Sequence, residues 1–328
     1  MIRFLRALVS KPAPKESPLA SKRLGIDLAT IDGAVIQEKE FPRPQWKVIR
    51  EWIKAQVADE DQAIAWREAA ADWLLKLKAH LAAKYFVAES TNFLLLTSRS
   101  PDAGKSILRT SELAVQSLTN WLGAVAEKRG HGKHVVLDFD SIENYYDYVS
   151  YFYKEGSVRA SGGVFIRRGY QHIALPPSRG VQNTLIHELT HNRLSHLPLP
   201  AWLNEGIAVT MERKLSGNKH GLLDRELHRK HQNHWSTATI KDFWSGDSFD
   251  DEDGEVVGLS YSLGEILVDL LVQEFPNFME FVARADYKDA GQAAAAEVFG
   301  IDLNDIASAY LGPGDWTSAY TASLQKES

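Results

Sequence analysis

The chain of 328 residues contains no cysteine. That absence removes disulfides, thiolate metal ligands and cysteine nucleophiles, and it leaves the redox compartment open. Long apolar runs are missing too: no stretch approaches the ~20 residues of a membrane-spanning helix. Excess positive charge is also lacking. The net charge is −6, and no segment is both basic and aromatic, which argues against a nucleic-acid surface. The first ten residues resemble a signal sequence only superficially. Arg6 interrupts their apolar run, which ends at Lys11-Pro12 with no small-residue cleavage site. The expectation is a cytoplasmic protein with no membrane span. Apolar content of 44% and charged content of 24% match a soluble globular chain, and the length allows one large core or two smaller ones.

Residues 10–22 are rich in Pro, Ser, Lys and Ala and read as a flexible lead-in. Residues 24–41 alternate loosely, as a small hairpin around Asp32-Gly33 would. From Trp46 to about Tyr85 the pattern is helical, with Trp66, Trp73, Leu74 and Leu77 recurring at core spacing. Nothing in this part carries chemistry. Residues 1–85 are therefore expected to be a lead-in and a helical appendage, and residues 86–328 the main domain. In the main domain, strands are expected at 86–88, 93–96, 134–139, 163–167 and 172–175, and a helix at 107–122. A Tyr-rich helix or loop follows Ile142, and nearly everything after residue 181 reads as helix. Strands followed by helices predict an α+β fold.

The chemistry centres on His187-Glu188-Leu189-Thr190-His191, an H-E-x-x-H pattern. On a helix the two imidazoles stand one turn apart on the same face, and a glutamate beside the first can act as general base. Chance alone would produce this pattern in roughly one chain in forty of this composition, so a third ligand decides its meaning. A catalytic zinc takes three protein ligands and leaves a fourth position open. Pro198 and Pro200 stop the motif helix, and Trp202 opens a second one with Glu205 in its first turn. Two antiparallel helices on so short a link bring Glu205 to the imidazoles, and Gly206 permits close backbone approach. The metzincin alternative needs glycine at 194 and His or Asp at 197, where Leu194 and Leu197 stand. Glu212 shares the face of Glu205 and reads equally as a supporting partner or a solvated acid.

With the following Leu199-Pro200-Ala201-Trp202-Leu203-Asn204-Glu205-Gly206-Ile207-Ala208, the motif resembles the peptidase MA-like gluzincin family of zinc metallopeptidases. The resemblance is sharp over 181–212, weaker over 86–311, and leaves residues 1–85 outside. It implies a zincin-like domain: a small mixed sheet, the motif helix and a helical C-terminal region. It implies one zinc ion per chain on His187, His191 and Glu205, with Glu188 as catalytic base and a peptide or protein as substrate. Tyr261-Ser262-Leu263-Gly264-Glu265 resembles the family's downstream helix, which opens near a tyrosine, and Tyr261 is the candidate donor to the oxyanion. In similar enzymes an edge strand beside the zinc pairs with the substrate. Here that would be the strand pair of 163–175, flanked by Arg167, Arg168 and Tyr170. Two other readings use the same site: a non-catalytic zinc-binding or regulatory protein, and an amidase acting on a non-protein amide.

Other signals fade on inspection. His228, His231 and His234, with His220 upstream, lack a carboxylate that would complete a metal set. The acidic stretch 247–255 fails as a calcium loop, because Phe249 would occupy the first ligand position. Gly104-Lys105-Ser106 fails as a phosphate loop, because Arg99 takes the place of its first glycine.

Overall fold

Apolar residues first recur at three- and four-residue spacing from Trp46 onward, and two helices form there: α1 (Trp46–Gln56) and α2 (Gln62–Ala79). A computed structural model describes residues 17–19, 22–38, 40–127, 130–153, 162–217 and 224–317. Most of the lead-in expected at 10–22, and His220, lie outside the described residues. Trp46, Ile49 and Ile53 are buried on α1; Trp66, Trp73, Leu74 and Leu77 are buried on α2.

Helix α2 also buries two carboxylates. Glu68 accepts from the backbone N–H of Leu24 (3.0 Å) and of Ile26 (3.1 Å), and Asp72 accepts from that of Leu28 (3.0 Å). Lys22 Nζ meets Asp72 at 2.7 Å. These bonds satisfy a non-regular backbone segment that would otherwise carry unpaired donors. The hairpin falls later than Asp32-Gly33. It pairs β2 (Val35–Glu38) with β3 (Phe41–Pro44), because Asp27 accepts from Ala29 N and starts a 3-10 turn at Leu28–Thr30 instead.

Strand β1 (Ser17–Pro18) joins a six-stranded mixed sheet with β4 (Phe86–Glu89), β5 (Phe93–Thr97), β6 (His134–Asp138), β7 (Val164–Ile166) and β8 (His172–Leu175). Their order is β1-β4-β5-β6-β8-β7. The pairs β5/β6 and β6/β8 are parallel, and the pairs at both ends of the sheet are antiparallel. Every residue of β5, β6 and β8 is buried, as central parallel strands require. Helix α3 (Pro101–Leu122) follows β5 and starts earlier than expected, at a proline suited to a first helical turn. Ser141 caps α4 (Ile142–Val149). Helix α5 (Val181–Leu194), the motif helix, follows β8.

The remaining helices are α6 (Ala201–Ser216), α7 (Arg225–His234), α8 (Ile240–Ser245), α9 (Gly254–Glu274), α10 (Phe278–Arg284), α11 (Gln292–Phe299) and α12 (Leu303–Leu311). The architecture is thus α+β with a small mixed sheet, and no described helix is long and apolar enough to cross a membrane.

Two compact units divide the chain: Met1–Val115 with Gly130–Leu189, and Gln116–Arg129 with Thr190–Ser328. The division does not fall near residue 85. Helices α1 and α2 share one core with the sheet, where Trp46, Trp66 and Trp73 belong to the same cluster as Leu94, Leu96, Val135 and Leu137. Residues 46–79 are thus part of that unit's core rather than an appendage.

The entry to α5 is held by a buried ion pair. Asp138, at the end of β6, accepts from Thr97 Oγ1 (2.6 Å) and Arg99 Nε (2.7 Å). Arg99 Nη2 also donates to the Ser178 carbonyl at 2.9 Å, three residues before the helix begins. Ser178 Oγ accepts from Gly180 N at 3.2 Å, so it shapes the turn ahead of the helix. On the other side Gly163 lies against α5. A Cβ there would meet Thr184 Cγ2 and Leu175 Cδ2, each at 2.8 Å.

His172 on β8 is fully buried. Its Nδ1 meets the Tyr170 carbonyl at 2.6 Å and its Nε2 meets Tyr148 Oη at 2.7 Å. Burial outweighs the Tyr170 hydrogen bond and holds the ring neutral, with its pKa pushed down to about 4. In the unfolded chain the ring titrates near 6.5. Between those values the unfolded chain binds more protons, so stability is fully present above about pH 6.5 and is lost as pH falls toward 4. His172→Gln is expected to lower stability at pH 7. It should also flatten the pH 4–6.5 dependence, by up to about one proton, in urea unfolding followed across that range. An unchanged slope would contradict a buried neutral His172.

Candidate metal centre

Leu185, Ile186 and Leu189 are buried on α5, which leaves His187 and His191 half-buried one turn apart on another side. Leu197 N closes back on Leu194 O at 2.9 Å, and the Pro198 carbonyl accepts from Tyr287 N at 2.7 Å. The chain therefore turns at once rather than wandering. Pro200, extended at φ −63° and ψ 148°, stands as the N-cap of α6, and its carbonyl accepts from Asn204 N at 3.0 Å.

Three contacts fix α6. Trp202, fully buried, donates its indole N–H to the Ala290 carbonyl at 2.9 Å. Gly206 meets α9 backbone to backbone, since a Cβ on it would stand 2.4 Å from the Gly264 carbonyl oxygen. The reciprocal Cβ on Gly264 would stand 2.8 Å from the Trp202 carbonyl. Arg213 then reaches both Glu265 and Asp269 of α9.

These constraints bring Glu205 to the histidines. One ligand atom from each of His187, His191 and Glu205 lies within 4.8 Å of the others. His191 Nε2 and Glu205 Oε2 are 3.3 Å apart. A tetrahedron with zinc–ligand bonds of ~2.0–2.1 Å has edges of about 3.3–3.4 Å, so this edge already has the length a shared zinc ion requires. The donor set, two imidazoles and a carboxylate, is one that zinc accepts in catalytic sites. Among the described residues no other group of three His, Asp or Glu side chains is close enough to hold an ion.

Glu188, half-buried on α5, has a neighbour that sequence reasoning missed. Burial pushes the Tyr153 phenol above its ordinary pKa, and the Glu188 carboxylate adds to this, while Arg168 and Arg167 oppose it. Tyr153 Oη also donates to the Phe165 carbonyl of β7 at 3.4 Å. No spacing rule links Tyr153 to the motif. The only signal was the Tyr-rich stretch itself, in which Tyr145 is buried, Tyr146 is exposed, Tyr148 bonds His172, and Tyr151 Oη donates to the Glu38 carbonyl.

Tyr261 lies about two turns inside α9, which opens at Gly254 with Asp253 as its cap. It is half-buried and packs edge-on against Phe249 at 5.4 Å. Strand β7 is an edge strand, as expected, and Arg167 and Arg168 are exposed at the turn into β8. Tyr170 belongs elsewhere. It is buried against Trp46 and donates to the Lys133 carbonyl, so it is a core residue and lines no groove.

The histidines of α7 are structural. His231 Nδ1 accepts from Trp235 Nε1 at 3.0 Å and its Nε2 meets Ser262 Oγ at 3.2 Å, while His228 packs edge-on against Tyr310. The acidic stretch resolves into a 3-10 turn with buried Phe249 and the α9 cap.

No family model matches the chain, and comparison with curated proteins and with solved structures found no match.

Gly206→Ala should destabilise the protein by about 3 kcal/mol, because the added methyl meets backbone rather than a movable side chain. Gly258→Ala on α9, where a Cβ meets nothing within 4 Å, should stabilise by up to ~1 kcal/mol. Denaturant unfolding of both variants checks the pair. Equal effects would rule out the backbone contact.

Proposed function

We propose that the protein is a zinc-dependent peptidase of gluzincin type on a zincin-like fold. The observation that carries this reading is the convergence of His187, His191 and Glu205, from two helices joined by a Pro-containing turn, with Glu188 next to the first ligand. His187, His191 and Glu205 would hold the ion. When bound, zinc lowers the pKa of water to about 7 and polarises a carbonyl.

Glu188 takes the proton of the attacking water on a carboxylate oxygen and passes it to the leaving amine nitrogen, a role worth ~10²–10⁴ in rate. A structural metal site needs no such base, which favours hydrolysis over storage. Strand β7, at the sheet edge, offers main-chain hydrogen bonds to an extended peptide. Two phenols are candidates to donate toward the oxyanion: Tyr261, and Tyr153, whose titration feels the Glu188 charge. Burial and the Glu188 charge keep the Tyr153 proton in place, and a neutral donor of this kind suits a developing negative charge.

Metal analysis of the purified protein should give zinc near one per chain, retained in Glu188→Gln. Wild type alone should cleave a broad peptide library, and Glu205→Ala should lose most of the metal. Full occupancy with no hydrolysis of any amide would leave a zinc-binding protein, and no zinc at all would remove the site. Tyr153→Phe and Tyr261→Phe separate the two phenols. The variant that removes the oxyanion donor should lose about 10²–10³ in kcat with KM little changed, while the other should retain near wild-type turnover.

A further inference from the structure

The unit built on the mixed sheet holds a second concave site. Its cavity of about 150 Å³ is lined by aromatic side chains, among them Trp46, Trp73, Tyr148 and Phe152. An apolar cavity of that size accommodates one benzene-sized ring. The rim is cationic: Arg43, Lys47 and Arg168 contribute to the lining, and no carboxylate does among the described residues.

The three cations are not equivalent. Arg43 is ion-paired with Glu38 at 2.6 Å and lies over the rings of Tyr151 and Phe152, 5.8 and 6.0 Å from their centroids. Its charge is answered and its position is fixed as wall. Arg168 is exposed at the β7–β8 turn and has no ion-pair partner among the described residues. The turn is held against the cavity by Gly169. It adopts φ +74°, and a Cβ on it would stand 2.5 Å from Trp46 Cδ1. His172 also contributes to the lining, and its two ring nitrogens are already engaged by Tyr170 and Tyr148. Trp73 differs: its buried Nε1–H has no acceptor among the described residues. That nitrogen is closed off from solvent, so the indole offers the cavity its ring and not its N–H.

We propose that this pocket binds a small aromatic carboxylate: one ring enclosed by the aromatic wall, on a short acid tail that reaches Arg168. The volume limits the occupant to a single ring, and the unanswered guanidinium selects an anion. A guanidinium recognises a carboxylate through paired, charge-assisted hydrogen bonds, whereas a cationic amine of the same shape meets only like charge.

Isothermal titration of the full chain with 3-phenylpropionate, 4-hydroxyphenylacetate and 2-phenylethylamine tests this proposal. The two acids should bind saturably at one site per chain and the amine should not. Arg168→Met, at an exposed turn position, should weaken the acids by about tenfold or more with the unfolding midpoint unchanged. Three results would overturn the proposal: no saturable binding of either acid, equal binding of the amine, or unchanged affinity in Arg168→Met. Binding of a peptide ending in Phe while both free acids fail would also overturn it, making the pocket a receptor for a chain end. None of these measurements reads peptide hydrolysis or zinc content, so they stand apart from the outcome at the metal centre.

Discussion

The contact of Gly206 with Gly264, backbone against backbone, determines where Glu205 stands. With no side chain between them, α6 and α9 approach until main-chain atoms touch, and a helix held that closely cannot rotate about its axis without a clash. Trp202, one turn earlier, is tied to Ala290, and Arg213, two turns later, clamps Glu265 and Asp269. The direction of the Glu205 carboxylate follows from these three anchors. If His187, His191 and Glu205 hold an ion as proposed, such supporting contacts would keep affinity from being spent on ordering the ligands.

The other half of the problem is the helix that carries the histidines. Its entry is set by Arg99, which bridges Asp138 at the end of β6 and the Ser178 carbonyl. Asp138 is almost wholly buried and Arg99 only partly so. Truncating one partner of such a buried pair costs about 3–5 kcal/mol, because the other charge is left uncompensated. Gly163 adds a close approach of the β7 entry to Thr184. The sheet thus holds the motif helix through polar bonds at its start and tight packing along its side. Edge strand β7, the β7–β8 turn, Tyr153 and Glu188 belong to the same compact unit.

The convergence of the candidate metal ligands was legible in the sequence because its determinants are local. His187 and His191 are four residues apart on one helix, Pro198 and Pro200 mark where it must end, and Glu205 follows within the next first turn. Gly206 was readable as a close-approach residue, although its partner Gly264 was not. Strands β4 to β8 were legible from their β-branched and apolar runs, whereas β1 lies in what reads as a lead-in. What escaped depends on long-range packing. Trp46, Trp66 and Trp73 looked like the core of an appendage, yet they share a core with β5 and β6. Tyr170 looked like a groove residue until its contacts with Trp46 and Lys133 placed it inside. The hairpin moved because a single side-chain bond from Asp27 starts a 3-10 turn, and loose alternation cannot reveal that. The Glu188 charge acts on Tyr153 only because of the path of the chain, which no local pattern encodes.

The most direct test of the account is a zinc K-edge absorption spectrum of the protein purified without added metal. Two imidazole ligands within a nitrogen/oxygen shell at ~2.0–2.1 Å, reduced to a weakly held or absent ion in Glu205→Ala, would match the site formed by His187, His191 and Glu205. A spectrum showing three or more imidazoles, or an unchanged spectrum in Glu205→Ala, would contradict it.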